Sequence, residues 1–254
     1  MAMSNNFKRA PSIDRCFAIL GLLARAEAAM GISDISGNLG LNKSTVFNIV
    51  HTLIDLKVLE RRTGGKVGFG TQLPVLGKMA GNRSGLVWTA HPYLEKVNKE
   101  TRLSAFLGLR SDRWIVLIDK ADSACGIKVS SEIGMQMPML AGAGIKAVLS
   151  LLSDEEIDEI LARTDLKKYT PYSIVDKAAY KEEILRAREQ GVAYDREEYI
   201  EGMVAFAVPL NGNNRDLQAA FWVVGLAHQV DEDAIPKLTG LLKRISEEIS
   251  QRVH

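Results

Sequence analysis

Along "SIDRCFAILGLLAR" the apolar residues Ile13, Cys16, Phe17, Leu20, Leu23 and Ala24 recur at steps of three and four. That is the period of a helix with one stripe turned to a core. Pro11 and Ser12 stand in front of it, where a capped start is expected. "GISDISGNLGLNKSTVFNIVHTLIDLKVLE" predicts two more helices around a tight break. Ser33 is placed to cap the first, and Gly40 supplies the positive φ of the turn. Leu41 packs inward after it, and Asn42 is placed to cap the second. At 100° per residue, Val46, Ile49, Val50 and Leu53 share one buried face of that second helix. Ser44, Asn48 and His51 then lie opposite, with Thr45 and Phe47 on the flanks and Lys43 in the first turn. In "VLERRTGGKVGFG", Val58 and Leu59 begin a strand, Gly64-Gly65 turns it, and Val67 to Phe69 returns.

The face opposite the buried stripe has its own chemistry. A face made only for solubility carries Glu and Lys pairs. This one has short hydrogen-bonding groups, an aromatic ring, and no acid before Asp55. Asn pairs bidentately with adenine, Ser and Thr reach bases or phosphates, and Phe meets a thymine methyl. The helix start adds free N–H groups for a phosphate. Arg61, Arg62 and Lys66 ride on the hairpin, as a wing clasping the DNA backbone or minor groove requires. The pattern is that of a winged helix-turn-helix, whose expected partner is double-stranded operator DNA. The alternative is a winged helix used for protein docking, its basic hairpin merely solvated.

"TQLPVLGKMAGNRSGLVWTAHPYLEKVNKETR" is helical with breaks at Gly81, Gly85 and Pro92. Leu73, Leu76, Met79 and Ala80 form a short apolar stripe, and Leu94 and Val97 begin another. The first reads as a linker helix, its stripe either packed within the chain or forming a dimer contact, since helix-turn-helix proteins commonly read two half-sites. From Leu103 the period becomes that of strands: "LSAFLGLR" and "RWIVLIDK" around Ser111-Asp112, then "GIKVSS" as a third. "SDEEIDEILAR" has Ser153 and Glu156 at capping-box spacing, and "AAYKEEILRAREQG" is a helix closed by Gly191. "MVAFAVPL" and "LQAAFWVVGL" are strands joined by "NGNNRD". A final helix carries Ile235, Leu238, Leu241, Leu242, Ile245 and Ile249 on one stripe. The order predicts an α+β domain with an antiparallel sheet. Residues 1–72 are assigned to the DNA-binding domain, 73–90 to the linker helix and 91–254 to the second domain.

Charge sharpens the division. Met1–Ala80 holds ten Lys and Arg against five Asp and Glu, a net of +5, which leaves −4 for the rest of a chain of net charge +1. A basic front suits a polyanion. There is no secretory leader and no run of about 18 apolar residues, so a cytoplasmic protein without membrane attachment is expected. Cys16 and Cys125 are too far apart for a disulfide framework or a metal knuckle. A rival reading is an enzyme with a DNA-binding head. Cys125 in "SACGIK" has no histidine near it, His51, His91, His228 and His254 are scattered, and no HExxH, GxSxG or P-loop occurs. "DREEY" could bind a metal, but three acids in four residues usually make a solvated surface. No catalytic residue, cofactor or metal is expected.

"SIDRCFAILGLLA", "LNKSTVFNIVHTLIDLKVLE", "AGAGIKA", "YTPYSIVD" and "GVAYDREEYIEGMVAFAVPL" together resemble the IclR-type bacterial transcriptional regulators over nearly the whole chain. The last segment is similar to the family's C-terminal signature, with Gly191, Asp195, Glu198, Ala205 and Ala207 at matching places; Phe206 and Asn211 depart from it. The resemblance implies a GAF-like effector domain, a homodimer or homotetramer, and a small organic effector that alters operator binding. It also implies a pocket. Ala141, Gly142, Ala143 and Gly144 are similar to a loop whose N–H groups hold an anionic effector, and Asp195 and Ala205 match cavity-lining positions. Ile127, Val129 and Ala207 are assigned to the same pocket, with Met137 and Met139, joined by Met135, as adaptable apolar surface. Trp222 and Val224 stand where members that bind small carboxylates often carry hydroxyls. The expected effector is therefore more apolar than glyoxylate or pyruvate, and an aromatic acid fits; the alternative is that Trp222 simply fills a cavity left unused.

Overall fold

Two helices meeting at a glycine corner organise the front of the chain. The computed structural model describes residues 9–111, 114–124, 128–211 and 217–253, with backbone only at 78 and 80–84. Contacts divide it into two compact units, Met1–Ala80 and Gly81–His254.

In the first unit α1 (Pro11–Arg25) is followed by β1 (Met30–Gly31), α2 (Ile32–Leu39) and α3 (Lys43–Asp55). β2 (Leu59–Arg61), β3 (Lys66–Phe69) and α4 (Gln72–Ser84) complete the series. Gly40 takes a left-handed conformation, φ 62°, that ends α2 and turns the chain into α3. Ile19, Leu23, Ile35, Val46, Val50, Leu53, Leu59 and Val67 form the core. β3 is central in an antiparallel sheet of order β1-β3-β2, pairing Met30 with Val67 and Leu59 with Phe69.

Three local expectations are corrected. Ser33 does not cap α2: Gly31 precedes the helix, and its N–H donates to Asp34 Oδ2 at 3.0 Å. Asn42 occupies the N-cap of α3, but its side chain makes no capping bond. The stripe of α1 is rotated and shortened. Ile19 and Leu23 are buried, whereas Ile13 (58% exposed), Phe17 (69%) and Ala24 face outward. Apolar residues cover more than one face of α1, and only its second half lies over the unit's core, so spacing alone could not select the packed face.

The second unit is built on a six-stranded antiparallel sheet of order β6-β5-β4-β9-β8-β7. β4 is Ser104–Ser111, β5 Trp114–Ala121, β6 Gln136–Pro138, β7 Ala193–Arg196, β8 Met203–Leu210 and β9 Ala219–Leu226. α5 (Leu86–Thr101) and α9 (Ile235–Ser250) cover one face; α6 (Gly142–Leu149), α7 (Asp154–Arg163) and α8 (Lys177–Gln190) contribute to the core on the other. Register explains the unbroken apolar run of β9. Leu107 lies opposite Phe221 in the core under α5 and α9, and Phe106 opposite Trp222 in the core under α6. A strand buried on both faces needs apolar residues at successive positions. Leu86 and Ala90, placed in the linker by sequence, are buried in this unit as part of α5.

The expected third strand in "GIKVSS" is also corrected. Residues 128–130 are not a strand; the Val129 carbonyl accepts a bond from Ser104 Oγ at 2.6 Å instead of joining a ladder. The strand beside β5 is β6, with Ile115 opposite Met137. Asp112, Cys125, Ile127, "NGNNRD" after Asn211, and His254 lie outside the described residues. Among the described residues no helix is long and apolar enough to cross a membrane.

Candidate functional site

The first unit presents one polar face. Val46, Val50 and Leu53 turn α3 inward, and the same rotation leaves Asn42, Lys43, Ser44 and Asn48 exposed and Thr45 and His51 half-buried. Phe47 is 49% exposed although large and apolar. Its ring stacks on His51, centroids 4.1 Å apart. Arg61 Nη2 lies 3.3 Å from His51 Nδ1. A guanidinium only donates, so Nδ1 is the accepting side of this contact. Thus α3 and the hairpin share a cluster of a ring, an imidazole and a cation. Arg61, Arg62 and Lys66 are all exposed on the hairpin, which turns tightly through Gly64 and Gly65, both with φ 72°. Arg62 is paired with Glu60 at 2.7 Å. The arrangement sets donors, an amide and an apolar ring beside a cationic ribbon.

The second unit holds a cavity of about 110 Å³ on the α6 side of the sheet. Val129, Met137, Gly142, Ala143, Gly144, Asp195, Ala205, Trp222 and Val224 line it, together with Met135. Four assignments fall elsewhere. Ala141, the N-cap of α6, and Ala207 are buried but off the wall; Met139 borders a separate outer groove with Trp114; Ile127 is outside the described residues. The "loop" of glycines is itself corrected: Gly142, with φ 80°, begins α6, so residues 142–144 are its first turn. Ala141 brings no side-chain cap, and the amides of that turn face the cavity end of the helix. Trp222, 3% exposed, floors the chamber beside Phe106, ring centroids 5.8 Å apart. A Cβ on Gly108 would lie 2.6 Å from Ile115 and 2.8 Å from the indole, so only glycine leaves room for it.

Sequence reading missed Phe106, Leu117, Ser131, Tyr199, Ile200, Met203 and Val204 on the wall. Residues 199–204 run from the loop after β7 into β8, and the acids of "DREEY" hold that loop. They are not a solvated cluster, because each is engaged in holding the loop. Asp195 Oδ1 accepts from the Glu198 N–H at 2.7 Å, and Glu197 accepts from Gly202 N–H at 2.8 Å. Glu198 receives Lys146 Nζ at 2.6 Å on both oxygens. Lys146 is wholly buried and also donates to the Tyr194 carbonyl at 2.9 Å. Thr170 and Ser173 hydroxyls donate to the carbonyls of Glu197 and Glu198. Burial, then the neighbouring Glu198, pushes the Asp195 carboxyl up to about 6. Burial also raises Tyr199, and raises Tyr180 strongly; the Tyr180 hydroxyl is enclosed without a hydrogen-bonding partner among the described residues. Among the described residues no group of three His, Cys, Asp or Glu could hold a metal.

Comparison with known proteins places both units. The family model described as the IclR helix-turn-helix domain matches residues 12–63, and that described as the bacterial transcriptional regulator IclR C-terminal matches residues 80–251. The HTH-type transcriptional repressor AllR of Salmonella typhi is 28% identical over 246 residues, 96% of this chain and 90% of that protein. The crystal structure of an IclR transcriptional regulator from Alicyclobacillus acidocaldarius superposes with a TM-score of 0.82 at 24% identity, covering 96% of this chain and 98% of that one. An IclR homolog from Microbacterium hydrocarbonoxydans, complexed with 4-hydroxybenzoate, gives 0.81 at 21% identity, covering 94% and 97%.

Proposed function

Because this chain belongs to the IclR family of bacterial transcriptional regulators, and is a regulator and not an enzyme, we propose that it represses a catabolic operon under the control of a small organic effector. Helix α3 enters the major groove with Ser44, Asn48 and His51 toward the bases, while Arg61, Arg62 and Lys66 hold the backbone. The observation that carries this reading is the exposed α3 face, free of acids until Asp55 in the last turn and joined through Arg61 to the cationic hairpin. Repression is supported by the name of the AllR relative. The protein acts in the cytoplasm as a homodimer or homotetramer; the exposed Val75, Leu76 and Met79 on α4 favour self-association. The domain limits proposed from sequence are 1–72, 73–90 and 91–254, with Leu86 and Ala90 joining the core of the second unit.

The effector is an aromatic or largely apolar acid. Trp222, Phe106, Met135 and Met137 give the cavity apolar walls, and its size suits a single ring or short chain. It is on the scale of the apolar cavity of ~150 Å³ that takes up benzene. The neighbour with bound 4-hydroxybenzoate supports an aromatic ligand. A differential affinity for two arrangements of the DNA-binding heads would couple this site to the operator.

A gel-shift assay with the DNA upstream of the protein's own gene tests the reading. Binding that weakens steeply with salt and changes on adding an aromatic acid is expected. Salt-insensitive binding, or none, sinks the DNA assignment. Tight binding of only the smallest hydrophilic acids, unaltered in Trp222→Ala, sinks the effector class.

A further inference from the structure

An anion approaching the first turn of α6 meets an unusual companion. The helix start by itself favours negative charge, because its amides donate and its dipole is positive there. Asp195 faces the same spot. It is 6% exposed and lines the cavity, and its Oδ2 lies 3.6 Å from where a Cβ on Gly142 would sit. The charged and titratable groups around it come from three elements. Glu198 and Tyr199 follow it on the loop after β7, Lys146 reaches in from α6, and Tyr180 from α8. β8 sets only Ala205 opposite. Lys146 is committed to both oxygens of Glu198 and to the Tyr194 carbonyl, and no Lys, Arg or His is among the described residues of the wall.

Resting on the reading of this cavity as the effector site, we propose that the ligand end lodged between α6 and Asp195 is bound uncharged. It accepts a hydrogen bond from the α6 amides and donates one to Asp195, so a carboxylic acid enters only together with one proton. Two carboxylates in a low-dielectric chamber without a free cation cannot both stay ionised, and one shared proton removes the repulsion. The proton comes from solvent and lies between a ligand oxygen and Asp195 Oδ2. An ammonium head would satisfy Asp195 but meet the positive helix end. A primary amide satisfies both partners without a proton. Asp195 is half-protonated near pH 6, so proton uptake is accessible close to neutrality.

The test is calorimetry on the full-length protein with acid–amide pairs: acetate and acetamide, benzoate and benzamide, 4-hydroxybenzoate and 4-hydroxybenzamide. Titrations run from pH 5.5 to 8.5 in phosphate and in Tris, whose ionisation enthalpies differ. The acid that binds takes up one proton, and its affinity falls about tenfold per pH unit above pH 6. Its amide partner holds its affinity over that range. Asp195→Asn keeps the Oδ1 bond to Glu198 and can donate to a carboxylate, so it binds the anion without pH dependence. Acid binding with no proton uptake in the wild type, or an unchanged pH slope in Asp195→Asn, overturns the inference while leaving the effector site standing. No binding by any pair overturns the site itself.

Discussion

Replacing Asp195 by asparagine tests burial independently of any ligand. Its folded-state value near 6 lies above the usual 3.8, so the native protein holds a proton that the unfolded chain has already lost between those values. The wild type therefore forfeits stability as pH rises through 6, and asparagine does not. In urea melts the advantage of Asp195→Asn should grow by about 2–3 kcal/mol from pH 4 to pH 7. A flat difference means that Asp195 is solvated. On α3, Asn48→Ala should flatten operator preference by about 1–3 kcal/mol, read by competition with base-substituted sites. Arg62→Ala should weaken all sequences alike and lower the salt slope by about one per head. The exposure of these residues was legible because the buried stripe Val46, Val50 and Leu53 fixes which side chains α3 leaves outside. Lys146 was not. A lysine in a helix reads as surface, and what buries it is Glu198, 52 positions away in sequence.

Among elements, the clearest were those long enough to repeat their period. α7 and α9 follow stripes, β5 an alternation, and β4, β8 and β9 continuous apolar runs visible in the chain. The capping box of α7 is formed, with Ser153 N–H on Glu156 Oε2 at 2.9 Å and Glu156 N–H on Ser153 Oγ at 3.3 Å. Ser153→Ala should cost about 1 kcal/mol in chemical unfolding. β1, β6 and β7 span two, three and four residues. That is too short for a period, and each exists because a longer neighbour offers a free edge. The cavity shows the same limit. Asp195, the glycine turn and Trp222 came through family resemblance, whereas Tyr199 and Ile200 reach the wall only because a loop is tied down by Thr170, Ser173 and Lys146.

For the whole molecule, the basic front should dominate association with DNA. Lys43, Arg61, Arg62 and Lys66 all lie exposed in the first unit. A dimer engaging about six phosphates should lose on the order of 10³-fold in affinity between 50 and 200 mM salt. Titrated gel shifts measure this, and a slope near zero would remove the polyanion from the picture. Self-association has its own check. Leu76→Lys or Met79→Lys on α4 should lower the mass seen by sedimentation at micromolar concentration, with the fold unchanged by circular dichroism. An unaltered mass would leave that apolar stripe without a partner.

The missing side chain at Gly108 acts as a set-screw behind the indole of Trp222. Turning it by one methyl, Gly108→Ala, drives the ring away from β4 and trims the chamber from its floor. A biosensor built on this protein could thus be narrowed toward slimmer inducers from the rear of the pocket, with no wall residue substituted.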